Sequence, residues 1–487
     1  MGQLTSVLDT SFKVPRAFVK VSLGVGARSP GSSAMATLLV GSKTGTGTTA
    51  ITTRSLITSP DDASVQFGPG SELHLGAIAF FKANPIGLLY CTALDDSSGG
   101  ALALKAFVFT GTATADGQVE IWLGGFRIAV SIFNGDTATV FGDRVAAQIN
   151  GLVKLPCTAV NVTGTVTITM KNKGTRFNTF TTRSKQTNGA GIAHTPVTGT
   201  MAGGTDTGAN PQTQLDAVAS FRHHYLGSGF TDSVNLLKFK SDRTSRATPI
   251  EGKRGRWIGC TVTTLALAIT LSDAINDPRG ELIWARNTDD LPIEIAASAC
   301  GIYSAYRSAD RAANLDGFAL PGMDGPFADS DNATELEQNT ALNNGMTPVR
   351  LNAGVLSIVR PVTNYHNDPV GGNDDYSILD THYVEVSDYI ADLIVQNFAV
   401  FAGFKLGVDG PDDAPPAPLV ATPKGIRDWL FNMLKGQENK LIVNVDALKG
   451  GIVVEADVSA AGRVNAEVPI DCIELFHQLG AQVSQVG

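Results

Sequence analysis

The stretch "PVRLNAGVLSIVRPVTNY", residues 348–365, decides how the chain is read. Asn352-Ala353-Gly354 supplies a turn, and a β-branched run follows it. The predicted element is a hairpin with a long second arm. Pro361 falls inside that arm and removes a ladder donor, so the strand belongs on a sheet edge or bends at a bulge. Just upstream, "PIEIAASACGIYSAYRSAD" (292–310) predicts a small-residue helix. Downstream, "SILDTHYVEVSDYIADLIVQNFAVFAGFK" (377–405) opens a second helical region. The hairpin therefore joins two bodies of mixed character.

Working outward, the same alternation recurs. "AMATLLVGS" (34–42) and "IGLLYCTAL" (86–94) read as buried strands around a helix in "SVQFGPGSELHLGAIAFFKANP" (64–85), with Ser71 as N-cap and Pro85 past its end. "QTQLDAVASFRHHYL" (212–226) is predicted helical, and "GRWIGCTVTT" (255–264) and "IWARNT" (283–288) as strands. Between Asp95–Gly100 and a second linker, "PVTGTMAGGTDTGANP" (196–211), period-2 strands dominate and Gly124-Gly125 makes a two-residue hairpin turn; one helix, "TVFGDRVAAQING" (139–151), interrupts them. After a proline-rich connector, "TPKGIRDWLFNMLKGQEN" (422–439) carries Thr422 as cap, Pro423 in the first position and Gly436 near its end. The strands "KLIVNV" (440–445) and "GIVVEADV" (451–458) follow. The fold class is α/β (α+β), with a β-rich module inserted into an α/β body.

With 487 residues, 43% of them hydrophobic and 17% charged, the chain has material for several cores and a thin charged coat. A net charge of −9 argues against nucleic acid as the main partner. Five scattered cysteines without a CxxC pair read as free thiols in a reducing compartment. No signal peptide or membrane-spanning run is visible, so a soluble protein made inside the cell is expected.

Catalytic motifs fail one by one. "SLGVGARSPG" (22–31) places Ser29 where a dinucleotide loop needs its third glycine. "VGSKTGTG" (40–47) would need its upstream glycine at Thr37. Ser33 lacks a G-x-S-x-G elbow. His223 and His224 are adjacent, which on a helix separates them by ~100° and prevents a shared metal. No HExxH or EF-hand order is present. No catalytic, cofactor or metal residue is assigned. One basic cluster stands out: Lys238, Lys240, Arg243, Arg246, Lys253, Arg254 and Arg256. It reads as a solvated helix face and loop, with contact to nucleic acid or an acidic surface as the alternative.

The order of these pieces resembles the contractile tail sheath proteins of the phage Mu-like kind. The residues that carry it are Asn339, Leu342, Gly345, Arg360, Thr363 and Tyr365 in "DNATELEQNTALNNGMTPVRLNAGVLSIVRPVTNY", then Thr422, Pro423, Lys424, Ile426 and Arg427, together with the "MAGGTD" linker. The triplet ending the strand is Thr-Asn-Tyr, where the family has Thr-Thr-Tyr. The resemblance spans nearly the whole chain.

It implies a structural protein, not an enzyme. Expected domains are an N-terminal arm (1–25), part of the α/β core (26–95), an inserted β-rich domain (96–195), a central subtilisin-like domain (196–365), a C-terminal domain (366–465) and a C-terminal arm (466–487). Subunits would stack as hexameric rings in a helical array around a tail tube. The arms, with Val14, Phe18, Val19, Val21, Leu475, Phe476, Leu479 and Val483, would reach neighbouring subunits and complete a shared sheet. Lys424 and Arg427 are tube-facing candidates: two cations at a helix N-terminus oppose the macrodipole at ~0.3 kcal/mol or more each. The implied partners are further copies of the chain, the tube protein, and baseplate and tail terminator proteins, with no cofactor, membrane or direct nucleic acid. The implied location is the virion tail, after assembly in the bacterial cytoplasm. Two other classes stay open: an intracellular α/β hydrolase with a β accessory module, and a non-contractile shell protein.

Overall fold

All six positions of the first strand, β1 (Thr37–Ser42), are buried, which requires a sheet covered on both faces. The structure, a computed structural model, describes residues 35–96, 99–206, 210–410 and 418–483. After β1 come β2 (Ser55–Ile57), α1 (Pro60–Phe67), α2 (Glu72–Ala83) and β3 (Leu89–Leu94). The inserted module holds β4 (Leu102–Gly111), β5 (Gly117–Leu123), β6 (Phe126–Ile132), α3 (Ala138–Gly151), β7 (Cys157–Val162), β8 (Thr165–Lys173), β9 (Thr181–Asn188), β10 (Ile192–His194) and β11 (Thr198–Thr200). The body resumes with α4 (Gln212–Ala217), β12 (Tyr225–Ser228), α5 (Ser233–Arg246), β13 (Arg256–Thr261), α6 (Leu265–Ile275), β14 (Gly280–Trp284) and α7 (Pro292–Tyr306). It ends with α8 (Glu335–Asn343), β15 (Met346–Asn352) and β16 (Val355–Ile358). The last region is built on α9 (Thr381–Asn397) and α10 (Pro423–Lys435).

The central sheet runs β16-β15-β14-β13-β12-β1-β3-β2. Its six inner strands are parallel, and β2 and β16 close the two edges in antiparallel sense. Leu39, Cys91, Ile258 and Ile283 pack toward α2 and α7 on one face. Leu38, Val40, Leu226 and Leu282 pack with Leu236, Phe239 and Ala268 on the other. The body is therefore a three-layer α/β/α arrangement. The module between β3 and α4 folds into two four-stranded antiparallel sheets around Phe107, Ile121, Phe141 and Ile168. In the C-terminal region, Leu430, Leu434, Leu441 and Ile442 form a small core. Around it lie three two-stranded ladders: 405–406 with 420–421, 442–443 with 471–472, and 453–456 with 464–467.

Local signals hold where they were strong. Ser71 caps α2 by accepting from the His74 amide, and Thr422 caps α10 through the Gly425 amide. The 348–365 hairpin forms, with Ala353 and Gly354 as its two turn residues at φ +50° and +77°, the left-handed region that a two-residue turn demands. Its second arm is shorter than expected. β16 ends at Ile358 as the edge strand, and Pro361 lies beyond it.

The helix expected over 212–226 is a correction. It stops at Ala217, and Tyr225–Ser228 is the strand between β1 and β13. Pairing on both sides of a central strand outweighs the helical pattern of its sequence. His223 and His224 therefore precede a strand and do not lie on a helix. Val14, Phe18, Val19, Val21, Ser29 and Ser33 fall outside the described residues.

The α2–α7 contact is tight enough to test. A Cβ placed on Gly301 would meet the Phe80 carbonyl oxygen at 2.9 Å and Ala83 Cβ at 2.8 Å, so the two helices would have to part. Gly301→Ala is expected to lower stability by ~1–3 kcal/mol, read as a shift of the denaturation midpoint.

Candidate functional site

On α9, Glu385, Asp388 and Asp392 are spaced by three and four residues, which puts them on one helix face. That face lies against the edge of the central sheet where its parallel strands begin. There the start of β13 supplies Arg256, the turn before β14 supplies Arg279, and the residue after α7 is Arg307.

Glu385 is the centre of the layer. Its Oε1 accepts from Arg256 at 2.8 Å and from Arg307 at 2.7 Å, and its Oε2 accepts from the Tyr225 hydroxyl at 2.7 Å. Arg256 reaches on to Glu281 at 2.9 Å, which also accepts from Tyr303 at 2.6 Å and Thr347 at 2.9 Å. Arg279 grips Asp388 in bidentate fashion at 2.7 and 2.8 Å. Arg222 and Arg254 both meet Asp392, at 2.7 and 3.1 Å.

Arg256, Arg307 and Glu281 are at most 1% exposed, so charge must balance locally. It does: two guanidiniums face two carboxylates. Burial pushes the Glu385 carboxyl up, but Arg307 and Arg256 outweigh it and hold the group below the usual carboxylate range. Burial raises the Tyr225 and Tyr303 hydroxyls, which remain donors.

The inserted module meets the body through a second buried set. Arg176 contacts both oxygens of Glu72, at 2.8 and 2.9 Å, and also Asp206 and the Ser42 hydroxyl. Arg183 is bidentate on Asp289 at 2.7 and 2.6 Å, and Thr181 donates to the same carboxylate. Between these ties lies a cleft of about 610 Å³, lined by Ile78, Phe81, Lys82, Phe126, Phe180 and Asp324 among others. Asp290 and Glu294 also line it. Burial, reinforced for Glu294 by the charge of Asp290, pushes both carboxyls up.

The basic cluster read from the sequence is neither a solvated face nor a nucleic-acid surface. Arg243, Arg246, Arg254 and Arg256 are buried. Arg243 and Arg246 share Asp242, and Arg246 also donates to the Leu215 and Ala219 carbonyls. Lys240 caps the end of α6 at the Asn276 carbonyl, and Lys253 pairs with Glu251. The sequence signals that were available were Asp242, four residues before Arg246 on the same helix, and the acid face of α9, which Arg254 and Arg256 meet.

His223 accepts from Arg54 Nε at 2.9 Å, and His224 accepts from the Ala36 amide at 3.2 Å. Burial lowers the first to about 2 and the second to about 3, so both are neutral acceptors. Ser184 contacts His194 at 2.7 Å, but the other ring nitrogen faces the Val108 carbonyl, so no carboxylate completes a relay there. Among the described residues, no His, Cys, Asp and Glu cluster could hold a metal ion, and no helix is long and apolar enough to cross a membrane.

Lys424 and Arg427 stand on the first turns of α10. The Lys424 amide donates to Asp409 at 2.9 Å, which sets an acid against the positive helix end. Arg427 lies 3.6 Å from Asp428 and is 40% exposed at its side chain. In the tail, Leu475 is half-buried, while Phe476, Leu479 and Val483 project into solvent.

Comparison with known proteins bears out the resemblance read from the sequence. The chain is 25% identical over 470 residues to the Mu-like prophage FluMu tail sheath protein of Haemophilus influenzae, covering 94% of each. It is similar to the sheath tail protein of Desulfitobacterium hafniense at 13% identity and a TM-score of 0.48, over 91% of this chain and 98% of that one. It is similar to the contracted-state PVC sheath of an extracellular contractile injection system at 10% identity and a TM-score of 0.46, over 99% of each. No protein-family model matches the chain.

Two measurements test the site. Glu385→Ala strands Arg256, Arg307 and Tyr225 and is expected to cost ~3–5 kcal/mol in a chemical denaturation series. The conservative Glu385→Gln should recover part of that loss. Glu294 titrates above the ordinary carboxylate range in the folded chain, so folding takes up its proton. Its contribution is full in acid and is lost as pH rises through the folded value. Glu294→Gln should therefore be no more stable than the unaltered chain near pH ~5, and more stable near pH ~9.

Proposed function

We propose that this chain is the structural subunit of a contractile tail sheath. The observation that carries the reading is the relationship to a Mu-like tail sheath protein along nearly the full length of both chains. In the proposed assembly, subunits form hexameric rings stacked helically around a tail tube. Contraction of the array drives the tube through the target envelope. The tube protein, the baseplate and the tail terminator are the other partners. The assembly forms in the bacterial cytoplasm and ends in the virion.

The physical features agree with such a role. The body and both flanking regions are tied by buried arginine–carboxylate layers, so a subunit moves as one piece. Past α9, the C-terminal region has a different character. Two-stranded ladders are marginal alone, and strands added from neighbouring copies would complete them. The exposed Phe476, Leu479 and Val483 are the apolar side chains such a strand would bury, and the N-terminal set Val14, Phe18, Val19 and Val21 would serve likewise. Repeated head-to-tail contacts of this kind build an open helix. Lys424 and Arg427 are proposed to face the tube. The domain division at residues 25, 95, 195, 365 and 465 and a subtilisin-like topology for the central part belong to the same proposal.

The test is electron microscopy of the purified, untagged chain at high concentration. Hollow helical tubes with six-fold end views are expected. A chain that stays monomeric even with tube protein added would overturn the reading. Residues 464–467 and 471–472 pair within the chain, so the truncation that leaves the C-terminal region whole begins at Gln478. Removing residues 478–487 is expected to leave the thermal transition within ~2 °C of the full chain while abolishing long tubes. Tubes of unchanged length would exclude the arm.

A further inference from the structure

Past Cys472 the chain forms no helix or strand among the described residues, yet its next five residues are held down. The Ile473 carbonyl lies 3.3 Å from His382 Nε2. Tyr383 donates its hydroxyl to Glu474 at 2.9 Å. Asn314 donates to the Phe476 carbonyl at 3.2 Å. His477 closes the series: its Nδ1 pairs with Asp316, and its Nε2 faces Asp380 at 3.4 Å. Asp380 is itself fixed by Arg360, with both contacts at 2.8 Å.

These anchors come from two places, the start of α9 and the loop after α7. The tail therefore bridges the C-terminal region to the central body. The pattern stops abruptly. Gln478 to Val483 are all exposed, and no hydrogen bond ties them to the rest of the described chain.

We infer that residues 473–477 are a strap that the chain lays across its own α9 and pins at His477, so that the free arm begins at Gln478 and the strap holds five residues of slack in reserve. This rests on the reading of the tail as an inter-subunit arm. Opening the strap would move the hinge from His477 back to Cys472. At ~3.3 Å per extended residue, the arm gains ~17 Å of reach. A neighbour could then move away without the strand linkage breaking. His477 is the natural release point. It is the last anchor among the described residues, it is shared by two carboxylates, and peeling must begin there.

Apolar residues on both sides of the pin allow a direct test. Chymotrypsin, which cleaves after large apolar residues, has targets at Leu475 and Phe476 within the strap and at Leu479 beyond it. Brief digestion of the full-length chain, kept dilute and unassembled, is followed by intact mass. Cleavage after Leu479 should be at least ~10-fold faster than after Leu475 or Phe476, because a held backbone must open locally before it is cut. In His477→Ala the three rates should converge, with the thermal transition of the body unchanged. Asn314→Ala, which touches the strap through one hydrogen bond, should move the rates the same way by less. Equal rates in the unaltered chain, or a contrast that survives His477→Ala, would overturn the strap. The digestion reads the strap whether or not tubes form. Absent tubes with the contrast intact would count against the sheath reading alone.

Discussion

Glu281 is a carboxylate with no exposure, on a strand in the middle of the central sheet. A charge in that position persists only with a full set of partners. Arg256, Tyr303 and Thr347 supply it from β13, α7 and β15. Arg256 then carries a charge that Glu281 only half uses, and its other amine reaches Glu385 on α9. Each partner creates the need for the next, until Arg307 and Tyr225 complete the set. The placement of the C-terminal region follows from this chain of requirements. A one-residue slip of α9 would turn Glu385, Asp388 and Asp392 away from their arginines together, so the register of the helix is fixed by electrostatics as much as by packing.

The inserted module is joined by the same means on the opposite side of the body, through Arg176 with Glu72 and Arg183 with Asp289. Arginine suits both joints because its planar fork satisfies a carboxylate from two directions at once. A chain built this way concentrates compliance in segments that lack such ties. Among the described residues, the tail beyond His477 is such a segment. For the sheath subunit proposed above, which would stay folded while its neighbours rearrange, this division between rigid body and free edge is the property that counts.

Several elements were legible in the residues because local chemistry and global fold agree there. β1 and β3 are continuous apolar runs, as strands buried on both faces must be. α2 and α10 announce themselves by Ser71 and Thr422, and the Ala353-Gly354 turn specifies its hairpin. Where local and non-local signals conflict, the reading failed. The stretch 212–226 has a helical pattern, but Tyr225 and Leu226 are needed between β1 and β13, and two flanking ladders decide against the helix. α6 lay hidden in the apolar run that begins with β13, since periodicity alone does not divide such a run.

The charged residues mark the limit most clearly. The amino-acid sequence specified an acidic, α/β chain with a β-rich insertion, free cysteines and an order of motifs like that of tail sheath proteins. Those properties reside in composition, short-range capping and hydrophobic period, all of which act over a few residues. It did not determine that Arg254 and Arg256 are interior, because a buried arginine differs from a solvated one only in its partners. Those partners, Glu281, Glu385 and Asp392, are between 25 and 138 residues away along the chain. Only the tertiary structure brings them within 3.1 Å, and only there does a basic cluster become the joint between two parts of the protein.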